Sequence, residues 1–94
     1  MGKVIDKVDV IAEFKHDGSI IPMRFRIMNE DGEYETFTIK AYKEVPKKGT
    51  YTTEDGIYIC NEDLLFQCKI NILNTEKIVR LYFHSKNNSW KLGF

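Results

Sequence analysis

The chain has 94 residues, 43% of them hydrophobic and 13% aromatic, and its 14 basic residues balance 14 acidic ones. That length holds one domain, residues 1–94, and the zero net charge argues against a whole-molecule field drawing in nucleic acid or anionic lipid. Cys60 and Cys68, with neither His16 nor His84 near in sequence, match no zinc or redox spacing. No metal and no cofactor is therefore expected, and two buried thiols are a simpler reading than a disulfide. Residues 1–10 lack the apolar run of a signal peptide, and no window offers the roughly 18 apolar residues of a membrane helix, so a cytoplasmic location is expected.

Strands and turns carry the fold signal. Val8, Val10, Ala12 and Phe14 alternate with Asp9, Ile11 and Glu13, the pattern of a half-buried strand. Asp17-Gly18 predicts a two-residue turn. The strand after it, 20–28, then pairs Phe14 with Ile21, Ala12 with Met23, Val10 with Phe25 and Val8 with Ile27, all on one face. Pro22 has no N–H to give a ladder, so it predicts a sheet edge or a bulge. A three-residue loop, Asp31-Gly32-Glu33, with glycine in the left-handed conformation, pairs Ile27 with Phe37 and Phe25 with Ile39, and a third strand runs from about Tyr34 to Tyr42.

Residues 43–56, with Pro46, Gly49 and Gly56, read as one long, mobile loop. A β-rich stretch follows from Ile57 to Leu73, in which 57–60 is either a separate short strand or not. Phe66, Cys68, Ile70 and Ile72 face Val79, Leu81 and Phe83 if the next loop spans Asn74 to Lys77. A mirror-image turn at Asn87-Asn88 pairs Ser85 with Trp90, Phe83 with Leu92 and Leu81 with Phe94. The prediction is an all-β fold, a six-stranded antiparallel meander closing into a small barrel or a two-sheet sandwich. Its expected core is Val8, Val10, Phe14, Ile21, Met23, Phe25, Ile27, Phe37, Ile39, Phe66, Ile70, Leu81, Phe83, Trp90 and Leu92.

Catalysis by a nucleophile needs a base within reach and a group that orients it. His16 falls in a turn and His84 alternates outward, so both read as surface histidines. The acidic pairs Glu30/Asp31, Glu54/Asp55 and Glu62/Asp63 fall in turns, which favour such residues for backbone reasons. No enzyme is expected. Two binding readings remain. Lys69, Arg80, Tyr82 and Lys91 share an outer face, cations around one ring, as in barrels that bind single-stranded nucleic acid. A second basic set, Arg24, Arg26 and Lys40, is largely neutralised, because Asp9 faces Arg26 and Glu13 lies one position from Arg24. Alternatively, Ile11, Ile20 and Met28, with Leu65, point outward and form a strip for a protein partner or a second copy of the chain, unless the long loop covers them. A protein partner or self-association ranks ahead of nucleic acid.

The segment Phe14 to Ile27 carries the pattern DG-x-I-x-P-x-R-F-R, and Trp90 lies near the C-terminus. In both it resembles small uncharacterised β-rich proteins of low-GC Gram-positive bacteria. That resemblance implies a compact β-fold of bacterial origin and assigns no activity. Distantly similar short domains stand beside DNA-repair polymerases, an analogy that bears weakly on nucleic-acid binding. No functional residue carries over.

Overall fold

The computed structural model describes residues 4–46, 50–52, 56–59 and 63–94. Among them there is no helix. The strands are β1 (Val4–Ile5), β2 (Val8–Phe14), β3 (Ile20–Met28), β4 (Tyr34–Thr38), β5 (Ala41–Glu44), β6 (Tyr51–Thr52), β7 (Tyr58–Ile59), β8 (Leu64–Ile72), β9 (Thr75–His84) and β10 (Ser89–Gly93). They form a five-stranded sheet in the order β1-β10-β9-β8-β5, a three-stranded sheet in the order β2-β3-β4 and a two-stranded ribbon of β6 and β7. The two larger sheets are antiparallel and do not close into a barrel. The expected strand from Tyr34 to Tyr42 is two strands in different sheets. It bends where the Ile39 N–H donates to Met23 O at 3.0 Å and the Lys40 N–H to Lys69 O at 2.8 Å. The expected loop 43–56 is likewise interrupted, because β5 runs on to Glu44 and Tyr51–Thr52 pairs with Tyr58–Ile59.

Both early turns use three-residue loops. The Lys15 N–H donates to Ser19 O at 2.9 Å and the Gly18 N–H to Lys15 O at 3.0 Å, with Gly18 at φ 94°. Asp17 does not take positive φ, as a two-residue turn would require; its Oδ1 instead accepts from the Ser19 N–H at 2.9 Å. The loop therefore holds one residue more than expected, and β3 absorbs it. Ile11 pairs with Arg24 but Ala12 pairs with Pro22, leaving Met23 as a bulge beside the proline that predicted one. Val8 to Ile27 and Val10 to Phe25 thus pair as expected, while the pairs drawn to Met23 and Ile21 do not form. The second turn has the expected type but sits one residue earlier. Asn29 bonds Glu33 O at 2.7 Å, so Phe25 pairs with Phe37, their rings 5.3 Å apart, and Ile27 with Glu35.

The last two hairpins keep their faces and change their loops. Leu73 and Asn74, at φ 50° and 64°, make a two-residue turn, so Cys68 pairs with Val79 and Phe66 with Leu81. Residues 85–88 form the final loop, which pairs Trp90 with Phe83 and Leu92 with Leu81. Register shifts of four residues in the first of these hairpins and two in the second are both even, so the same side chains stay inside.

The main core lies between the sheets. Val8 and Phe25 from one meet Phe66, Cys68, Ile70, Val79, Leu81 and Leu92 from the other. The five-stranded sheet buries a second cluster on its opposite face, where Ile57 packs on Leu65 and Tyr82, with Val4 and Val45 beside them. Phe14 and Met23 leave the expected core: they are 62% and 48% exposed. Among the described residues no helix is long and apolar enough to cross a membrane.

Candidate binding surfaces

The structure brings the expected basic face together and removes its stacking ring. Lys91 lies opposite Tyr82, Arg80 is two residues along the same strand, and Lys69 is on the neighbouring strand. Tyr82, however, is only 1% exposed, beneath Ile57 and beside Leu65. Its ring has no open face for a base, and stacking is what makes such a surface grip single strands. The cations are also engaged. Lys69 Nζ lies 4.0 Å from Glu76 Oε1, Lys91 Nζ lies 3.8 Å from Asp6 Oδ1, and Arg80 Nη2 donates to Phe94 O at 3.2 Å.

On the same face His84 is mostly buried, with Nδ1 3.0 Å from Asp63 Oδ2. The expected surface histidine is thus held by a buried carboxylate, which satisfies a polar group that burial would otherwise penalise. His84 Nε2 is itself buried and meets no hydrogen-bond partner among the described residues, so this nitrogen has no solvent face from which to take a proton from a substrate. His16 lies exposed in the first turn, as expected.

The outward strip is rearranged by the bulge. Ile11 is 60% exposed and Met28 is also exposed, but Ile20 packs against the core. One extra residue in β3 reverses the alternation beyond it, which turns Ile20 inward and Met23 outward. Between Ile11 and Met28 stands the Asp9–Arg26 ion pair, at 2.8 Å, with the Arg26 guanidinium 4.0 Å from the centre of the Tyr34 ring. The hydrogen bond that Arg26 donates to Asp9 holds the guanidinium above its ordinary pKa, keeping it charged. Leu65 does face away from the main core, but Ile57 and Val45 cover it.

A further cleft lies between the two larger sheets, at a place that alternation and turn composition do not mark. The chain kinks at Asp6-Lys7, leaving β10 after Ile5 and joining β3 from Val8. Among the described residues, β1 pairs only with Leu92 and Gly93, Ser89 to Lys91 have no partner strand on that side of β10, and one edge of β2 pairs with no strand. Between these edges runs a cleft of about 840 Å³. Phe14, Phe83 and Trp90 form its aromatic wall, and Asp6, Lys7, Asp9 and Asn88 its polar margin. The wall is built by ring packing: Phe83 and Trp90 centroids are 4.7 Å apart, and Phe14 meets Phe83 edge-on at 6.0 Å. Phe14, expected in the core, instead stands at the seam, whereas Trp90 packs against the main core as expected and lines the seam as well. Comparison with known proteins finds no matching family model, no similar curated protein and no similar solved structure.

Proposed function

We propose that this chain is a non-catalytic, cytoplasmic recognition module that binds an extended segment of a partner protein in the seam between β2 and β10. The observation that carries this reading is the seven-residue edge of β2, unpaired among the described residues and lying along this cleft of about 840 Å³. An exposed strand edge offers a row of N–H and C=O groups that another strand satisfies, and side-chain pockets beside it supply selectivity. Seven residues give a pairing length of about 23 Å. The aromatic wall favours a segment with large apolar side chains.

In the same reading, residues 4–14 and 34–44 act as two strands bent across the sheets. The chain is then a six-stranded meander whose barrel stays open at the seam. A bound segment supplies the missing strand. The buried ring of Tyr82 and the paired lysines weigh against the nucleic-acid reading.

Trp90 is the chain's single tryptophan and lines the seam, so its fluorescence reports occupancy directly. Titration with pooled extended peptides rich in leucine and phenylalanine should shift that emission, and Phe14→Ala should weaken the response. A response produced by oligonucleotides and by no peptide would overturn the proposal. A response that grows with protein concentration alone would make the occupant a second copy of the chain.

A further inference from the structure

The bulge at Met23 builds a second groove, on the outer side of the three-stranded sheet where it meets the β4–β5 bend. The groove measures about 490 Å³ and is lined by Ile11, Met23 and Tyr42 together with Arg24 and Lys40. Ile11, Met23 and Tyr42 are all exposed, so none of the described residues covers them. Its electrostatics are one-sided. No carboxylate lines it, and neither Arg24 nor Lys40 takes part in an ion pair among the described residues. Arg26, by contrast, is neutralised by Asp9 on the same sheet face.

We propose that this groove docks an acidic segment of a partner polypeptide. An apolar side chain seats against Ile11 and Met23, and carboxylates on either side of it pair with Arg24 and Lys40. The site goes beyond the seam reading and shares no lining residue with it. Charge complementarity selects the occupant. A second copy docked about a two-fold axis would set Arg24 and Lys40 against the same cations of its mate. Nucleic acid would find aliphatic walls and one tyrosine, whose ring is already edge-on to Phe66 at 6.1 Å. Two cations fall short of the polybasic patch that holds a protein to an anionic membrane.

The test is fluorescence anisotropy with two pools of labelled peptides. One carries leucine or methionine among aspartates and glutamates; in the other, lysine replaces every carboxylate. Oligothymidylate and phosphatidylserine vesicles are run alongside. The acidic pool should bind, with an affinity that falls as salt rises. The double variant Arg24→Glu, Lys40→Glu should weaken binding by about tenfold, since two exposed attractions become repulsions. Met23→Ala should weaken it too, and Phe14→Ala should leave it unchanged. Each of these side chains is exposed, so thermal melts matching the parent should confirm folding, and Arg24→Gln serves as a milder second variant. Four results would overturn the proposal: no binding of the acidic pool, equal binding of the lysine pool, full affinity in the double variant, or tighter binding of oligothymidylate or vesicles. Loss of the Phe14→Ala effect at the seam would overturn the seam reading alone.

Discussion

Replacing Tyr82 by alanine separates a surface ring from a structural one. On an open basic face the change removes little, and surface substitutions usually stay within about 0.5 kcal/mol. The structure places Tyr82 at 1% exposure, on β9 between β8 and β10, packed with Leu65 and Ile57. Removing a buried aromatic side chain costs about 3–5 kcal/mol, combining lost transfer energy with the cavity left behind. For a chain of 94 residues the whole stability is about 5–14 kcal/mol, so this one change removes a large share of it. Urea unfolding followed by circular dichroism should show the midpoint falling by about 2 M, taking a slope of about 2 kcal/mol/M. Tyr82→Phe keeps the ring and should lose only about 1 kcal/mol. A Tyr82→Ala midpoint within about 0.3 M of the parent would refute the second core, and with it the argument that this face cannot stack bases.

Burial pushes the Cys68 thiol up to about 12, from an ordinary 9.0. The thiolate is the reactive form, so native Cys68 should resist alkylation at pH 8 and react in urea, as read by mass spectrometry of its own peptide. Folded protein holds that proton where the unfolded chain releases it. Stability from this group is therefore complete below pH 9 and is lost as pH rises from 9 towards 12, which denaturation midpoints across that range should show. Leu73 sits at φ 50° and is 93% exposed, so it bears left-handed strain with no packing in return. Leu73→Asn should raise stability by up to about 1 kcal/mol; a lower melting temperature would contradict the turn.

Side-chain alternation made the all-β class, the first and last hairpins and most of the inner faces legible, because a two-residue period survives any even slip. Loop lengths were less legible. Asp17 capping Ser19 and Leu73 accepting positive φ are choices that turn composition does not announce. Pro22 did announce its bulge. Carrying the reversed alternation past it would have put Ile20 inside and Met23 outside, and so exposed the groove with Arg24 and Lys40. The second core was hidden for another reason. Leu65 and Tyr82 alternate outward as surface residues do, and only the fold brings Ile57 over them. The seam depends on the kink at Asp6-Lys7, a long-range matter of which strand each half of the segment meets.

Amide hydrogen exchange along β2 tests the central claim most directly. In the free protein, the β2 amides that point away from β3 should exchange quickly, because no strand among the described residues pairs with that edge. Adding a peptide that shifts Trp90 emission should protect those amides and the Ser89–Lys91 edge of β10 together. Peptide binding that leaves β2 unprotected, or β2 amides already slow in the free protein, would contradict the open seam.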